Sequence, residues 1–472
     1  MPRTGTSCSS LLGIRLEGDQ HSYAPGDTII GCVYRRNHVV SANASIFISV
    51  SGRTKTKIVV SRGNSTSTYR GRFNLIPPRN RQKIFQGPLH IEFGGDEQVW
   101  PFAITLPKYV DPDHLQNGEQ SESFLPLRTA DHVLPSTYTY PTVGHTEAFV
   151  EYYLTAAMHL GGKSETVEAT LPITVAGMDP TPPIADFGLK RARSSHQITT
   201  YRLVPGMDEV KLSFSQKFKQ ALQTTSVPQF AFDLFVGLPT TIQLDNPNPL
   251  PVQLHVVPNR KDTSEVLHDV PQKVKLSFLS IQVVTTTEVM CEGTFTPHTK
   301  DKNAEVNLGI MNVLSRAKDG IYIPCTNDCS PIDIGAMIDL RLGCFGPGFP
   351  HRRGVQGHSF NPSFTTYNIR QSHRLKWEIR GTIAGELFKE NGAIPVKLLA
   401  PSDERGPGPF EQDQKVPAAD VEAGGETEPI AGPSQIQRNE SWIQPPAEEE
   451  APPSFIEVVK EDAARPPEKA GT

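Results

Sequence analysis

No run of apolar residues in this chain approaches the roughly 18 needed to cross a bilayer as a helix, so a helical membrane span is not expected. The opening residues, Met1-Pro-Arg-Thr-Gly-Thr-Ser-Cys-Ser-Ser, are too polar for a secretion signal. The expectation is therefore an intracellular protein, in which the glycosylation tripeptides Asn43-Ala-Ser45 and Asn64-Ser-Thr66 carry no meaning. Cysteine is scarce: six, at positions 8, 32, 291, 325, 329 and 344. In a reducing compartment these read as thiols rather than bridges. Cys325-Thr-Asn-Asp-Cys329 has no second Cys or His pair at zinc-site spacing, so no metal site is expected. Gly346-Pro-Gly-Phe…Gly354…Gly357 lacks the lysine and the strand-to-helix setting of a phosphate loop and reads as a flexible loop. No Gly-x-Ser-x-Gly elbow occurs, and nothing places the scattered His and Asp residues in a triad. The expectation is a protein without catalytic activity or cofactor.

What the chain does have is alternation. In Ile46-Phe-Ile-Ser-Val-Ser, residues Ile46, Ile48 and Val50 share one face, as do Trp100, Phe102, Ile104 and Leu106 in Trp100-Pro-Phe-Ala-Ile-Thr-Leu-Pro. Successive strand side chains point to opposite sides, so each stretch can line a core. Gly, Pro, Asn and Asp clusters separate the stretches, and no long segment shows a clean 3.6-residue period. The pattern predicts antiparallel sandwiches. Three prolines in Met178-Asp-Pro-Thr-Pro-Pro-Ile break it and set a boundary. Strand patterns resume in Val227–Pro239, in Val274-Lys-Leu-Ser-Phe, in the β-branched Gln282-Val-Val-Thr-Thr-Thr-Glu-Val, from Phe364 to Trp377 and from Ile394 to Leu399.

Charge is uneven. The net of −5 combines −10 in residues 401–472, which hold 16 acidic and 6 basic residues, with +5 in the first 400. The final segment also contains 12 prolines and few large apolar residues, so it cannot offset its ordering entropy by burial and reads as a disordered acidic tail. Residues 28–91, by contrast, contain eleven Lys or Arg and no acid. Arg53, Lys55 and Lys57 alternate and would share a strand face; with Arg62, Arg70 and Arg72 they form the candidate anion- and cargo-binding group. Anionic lipid head groups are an alternative ligand. Nucleic acid is disfavoured, because aromatic stacking platforms are not interleaved with the charges. Lys190-Arg-Ala-Arg193 is a short basic cluster that reads as a nuclear address only weakly, at four residues.

Several ordered stretches resemble the arrestin-like family, and in particular fungal alpha-arrestins. They are Tyr23-Ala-Pro-Gly-Asp27-Thr-Ile-Ile-Gly31, the strand ending Pro101-Phe-Ala-Ile-Thr-Leu-Pro107, Leu134-Pro-Ser136 and Ala148-Phe-Val-Glu-Tyr-Tyr-Leu-Thr-Ala156. In the second half they are Phe364-Thr-Thr-Tyr-Asn-Ile-Arg-Gln-Ser-His-Arg-Leu-Lys-Trp-Glu378 and Ile394-Pro-Val-Lys-Leu-Leu399. The resemblance implies an all-β chain: a flexible N-terminus (1–11), arrestin-type antiparallel β-sandwich domains over 12–176 and 205–400, a linker (177–204) and the disordered tail (401–472). It also implies a cytoplasmic adaptor, peripherally recruited to plasma membrane or endosomes. Such an adaptor binds the cytoplasmic parts of a membrane transporter or receptor and couples it to ubiquitylation and endocytic sorting. In that family the tail docks WW-domain ubiquitin ligases through Pro-Pro-x-Tyr. Here the only approach to that motif is Pro452-Pro453-Ser-Phe455, with Phe in place of Tyr. The rival readings are a constitutive retromer-type sorting subunit, which needs no ligase motif, and a signalling scaffold without ligase recruitment. A secreted sugar-binding protein or enzyme is disfavoured by the polar N-terminus.

A Pro-Pro segment is pre-organised for an aromatic-lined groove, and Phe fills the second pocket without the hydroxyl's hydrogen bond, at a cost of roughly 0.5–1.5 kcal/mol. Titration of the isolated tail, residues 401–472, with WW domains should therefore show binding that Phe455→Tyr strengthens about tenfold. Equal affinity of the two tails would remove Phe455 from the docking contact.

Overall fold

β-branched and aromatic residues at every second position favour pleated strands, and the turn residues between them interrupt the chain before a helix can propagate. The computed structural model describes residues 3–18, 22–76, 81–115, 122–128, 131–140, 145–161, 166–179, 181–207, 210–222, 224, 226–293, 296–315, 320–326, 330–344 and 359–403. The acidic tail beyond 403, with Pro452, Pro453 and Phe455, lies outside these residues, as do Cys329 and the glycine-rich loop.

The first half contains β1 (Gly13–Leu16), β2 (Thr28–Arg35), β3 (Val39–Arg62), β4 (Ser65–Ile76), β5 (Arg81–Ile91), β6 (Gln98–Thr105), the single turn α1 (Pro112–Leu115), β7 (Tyr138–Thr139), β8 (Thr146–Leu160) and β9 (Thr166–Ile173). The second half contains β10 (Leu189–Thr199), α2 (Phe214–Ala221), β11 (Gln229–Pro239), β12 (Thr241–Gln243), β13 (Gln253–Pro258), β14 (Val274–Cys291), β15 (His298–Asn307), α3 (Ile310–Leu314), β16 (Ile321–Ile323), β17 (Ile332–Asp333), α4 (Ile334–Met337), β18 (Gly343–Cys344), β19 (Ser359–Phe360), β20 (Phe364–Thr365), β21 (Ile369–Ile383) and β22 (Glu386–Leu399). No described helix is long and apolar enough to cross a membrane.

β1, β2 and β6 make a three-stranded antiparallel sheet. The 24-residue β3 is the axis of a six-stranded sheet, pairing with β8 along one edge and with β5 and then β4 along the other, while β7 and β9 pair with β8. Both alternating sets foreseen from the sequence, Ile46/Ile48/Val50 and Trp100/Phe102/Ile104/Leu106, are buried in the apolar core to which both sheets contribute. In the second half a four-stranded sheet (β10-β11-β13-β17) and a seven-stranded sheet built on β12-β22-β21-β14-β15 supply another core, including Phe232, Leu234, Ile281, Leu375 and Trp377. Gly392 of β22 lies directly opposite Trp377; a Cβ there would come within 2.7 Å of the indole, so only glycine allows that ring to lie flat beneath the strand.

Three segments differ from the sequence expectation. Residues 189–199, inside the expected linker, are strand β10; it pairs with β11 alone, buries little beyond Ile198, and so needs no clear apolar alternation. The Phe364–Trp377 segment is broken after β20, where Thr366 Oγ1 accepts from Ile369 N–H at 3.0 Å and closes a turn. Within the segment expected to be flexible, Ser7 exchanges two backbone hydrogen bonds with Thr170.

The two cores meet at a polar joint around Thr56. Val289 and Cys291 of β14, Tyr367 of the turn before β21 and Ile369 at the start of β21 belong to the first core. There the hydroxyl of Thr56 donates to Met290 O (2.7 Å) and accepts from Asn368 Nδ2 and Cys291 Sγ (both 3.3 Å), filling its one donor and two acceptor sites. Nearby, His132 Nδ1 meets Tyr367 OH at 2.9 Å, and Tyr367 packs on Phe73.

Burial pushes His373, on β21, down to about 4. Ser363 Oγ accepts from Leu398 N–H and lies 2.9 Å from His373 Nδ1, while His373 Nε2 is buried and without a partner among the described residues. The neutral ring is the folded form, whereas the unfolded ring titrates near 6.5. The unfolded chain thus binds the extra proton first, and stability is lost as pH falls from about 6.5 to about 4, by about 3 kcal/mol in all. Denaturant unfolding across this window should show that loss, and His373→Gln should remove it; parallel curves for the two proteins would refute the assignment.

Candidate functional site

The second half of β3 sorts its residues by the strand period of two. Thr54, Thr56 and Ile58 are fully buried, and Arg53, Lys55 and Lys57 lie on the opposite, outer face. Antiparallel register then places Arg72 directly across from Lys55 and Arg70 directly across from Lys57 on β4. On the other side, β8 places Glu151 opposite Arg53, Phe149 opposite Lys55 and Glu147 opposite Lys57.

The six sequence candidates therefore divide. Arg53 is structural: its Nε meets Glu151 Oε1 at 2.5 Å, both side chains are mostly buried, and its guanidinium lies 5.1 Å from the ring of Tyr153. The N-terminal segment completes the arrangement, with Thr4 N–H donating to Glu151 Oε2 (2.8 Å) and Arg53 donating to Thr4 Oγ1 (2.8 Å). The same segment places Arg3 over Phe149, an outer-face ring that is nevertheless buried. Lys57 Nζ pairs with Glu147 at 3.0 Å. Arg72 donates to Asn74 Oδ1 (3.1 Å), and Arg70 is exposed. Arg62 stands in β3 opposite Ser65, and its side chain lies outside the described residues. What converges on the outer face is a square of four cations, Lys55/Arg72 beside Lys57/Arg70, with Glu147 at one corner. Opposed like charges on neighbouring strands are destabilising by themselves, and an anion across them relieves that repulsion.

Two further cations of the acid-free stretch, Arg35 and Arg36, are held by partners of their own. Arg35 is 5% exposed and donates to the carbonyls of Leu11, Asn37 and His38; burial lowers its pKa. Arg36 and Arg15 converge on Glu97, whose carboxyl is held below its usual range, chiefly by the hydrogen bond from Arg36. Residues 28–91 contain no acid of their own; the fold brings acids to them from β8 and from the turn before β6.

A second concavity, of about 630 Å³, was not foreseen. It opens where β20 and β22 part along β21, and Lys190, Arg370 and Lys397 line it together with Ser363 and Thr365. Among the described residues no carboxylate lines it, although Arg370 is held by a two-pronged contact to Glu288. Lys190 and Lys397 are too far apart in sequence for any local pattern to have signalled them. Among the described residues no cluster of His, Cys, Asp and Glu is arranged to hold a metal ion, and none of the five described cysteines is in a disulfide. Comparison with models of known protein families and with curated proteins found no match.

Removing Arg53 leaves Glu151 mostly buried with one partner fewer. Arg53→Ala should cost about 2 kcal/mol in urea unfolding, whereas Arg70→Ala, at an exposed position, should stay within about 0.5 kcal/mol of wild type. Equal, small effects would show that the Arg53–Glu151 pair does not hold the N-terminal segment.

Proposed function

We propose that the chain is an arrestin-like adaptor, with two tandem β-sandwich domains, the first over 12–176 and the second taking in β10 and running to 400, and an acidic tail. In this reading it binds acidic or phosphorylated cytoplasmic parts of a membrane transporter or receptor and couples that cargo to ubiquitylation and endocytic sorting. The observation that carries the reading is the cation square on the outer face of β3 and β4, where Lys55 faces Arg72 and Lys57 faces Arg70. Four cations at strand spacing match two neighbouring phosphates or a short acidic run, and such a field steers association in a salt-dependent manner. The two apolar cores, the first almost wholly from the first half and the second from the second half, and the net charge of −10 in residues 401–472 support the domain plan and the role of the tail as a recruiting arm. Pro452, Pro453 and Phe455 would be its ligase contact. A constitutive retromer-type sorting subunit is the second reading, favoured by Phe455 standing where the docking motif has tyrosine.

The test spares Lys57, which pairs with Glu147 across β8. Lys55→Glu, Arg70→Glu and Arg72→Glu together should weaken binding of multiply phosphorylated transporter-tail peptides at least about tenfold and flatten its salt dependence, with the far-UV circular dichroism of the folded protein retained. Unaltered affinity would reject the cation square as the cargo site.

A further inference from the structure

Helix α2 is oriented the wrong way round for a surface helix. Such helices normally turn an apolar stripe to the core, yet no residue of α2 is buried. Phe214, Phe218 and the C-capping Leu222 are 86%, 58% and 60% exposed, and Val210 just upstream is 43% exposed. The helix is nonetheless well specified. Ser213 and Gln216 form a reciprocal capping box, in which each side chain accepts from the other's backbone N–H. Its attachment to the body is polar: Thr200 Oγ1 donates to Gln220 Oε1 (3.2 Å), and Gln220 Nε2 donates to Glu386 Oε1 (3.0 Å).

At about 100° per residue, Phe214, Phe218 and Leu222 span about 80° of the helix surface, and Gln220 falls almost diametrically opposite. The hydrogen bonds that tie α2 down therefore aim its apolar stripe at solvent. Lys217 and Lys219 flank the stripe on either side, each about 60° from its nearer edge. With Lys211 they are exposed and make no ion pair among the described residues, and Val210 to Leu222 contains no acid.

We propose that α2 is a membrane-surface anchor, which lies in the plane of an anionic lipid leaflet with Phe214, Phe218 and Leu222 among the acyl chains. Lysines on both flanks fit a flat anionic surface, because their stems extend past the rings while the ammonium groups reach the head groups. A second copy of the chain fits less well, since pairing two stripes would set Lys217 and Lys219 against their own counterparts. The anchor stands independently of the cargo reading: it lies on a different element, in the other half of the chain, from the cation square.

Co-sedimentation of the full chain with phosphatidylcholine vesicles, with and without phosphatidylserine, tests this. Binding should require phosphatidylserine. The variant Phe214→Ser/Phe218→Ser/Leu222→Ser should bind about tenfold or more weakly, and each of Lys217→Glu and Lys219→Glu should cost roughly fivefold. All these side chains are exposed, so the thermal midpoint should not move. Phe218→Trp supplies a local readout: the added indole emission should shift to the blue and be quenched by brominated phosphatidylserine, and should still do so when Lys55, Arg70 and Arg72 are reversed. Two results overturn the proposal. One is sedimentation of the serine variant like wild type. The other is emission from the added indole already blue-shifted without vesicles, which would mean that the acidic tail or a second copy covers the stripe.

Discussion

Thr56 is the constraint on which the arrangement of the two cores depends. Buried polar groups are tolerated when every donor and acceptor is matched, and a hydroxyl has room for one donation and two acceptances. Thr56 spends all three on residues more than 230 positions away: Met290 O, Cys291 Sγ and Asn368 Nδ2. The end of β14 and the turn before β21 are thereby fixed against the inner face of β3. Because β3 is also the axis of the six-stranded sheet, the same strand orders the first core, receives the second half of the chain and displays the outer cations. Its alternation separates these duties, with threonine and isoleucine inward and arginine and lysine outward.

The same register that exposes the cations also limits them. The sums of paired residue numbers along β3 and β8 are constant, so the four-residue spacing of Arg53 and Lys57 meets the four-residue spacing of Glu147 and Glu151. Arg53 becomes part of an anchored, nearly dry ion pair, in which it is fixed and unavailable to a ligand. Lys55 meets Phe149 and Arg72 at its register positions, and Arg70 meets Lys57, so strand pairing sets no carboxylate directly across from them. Strand pairing thus decides which of these cations has a carboxylate directly across from it.

Polar attachment and apolar display on α2 follow a similar logic. Gln220 ties the helix to Thr200 and Glu386 through two neutral-donor hydrogen bonds, and the phenylalanines that ordinarily dominate helix docking are left outside. The 3.6-residue period over so short a segment does not distinguish a helix from a loop, and its outward orientation depends on partners at positions 200 and 386.

Local chemistry accounts for what was legible at the outset. The pleat places Ile46, Ile48 and Val50 on one side wherever that strand goes, so the all-β character and much of the first core follow from alternation without knowledge of partners. Turn residues likewise mark most strand ends. The edge strand β10 carries no such signal, because a strand with one neighbour and little burial has no need of an apolar pattern. Which cation is neutralised, that Thr56 is a joint rather than an ordinary strand threonine, and that Lys190, Arg370 and Lys397 share a concavity were decided only by tertiary structure. Charges, hydroxyls and cavity walls take their roles from neighbours across strands, and those neighbours are set by register between segments that lie far apart in the chain.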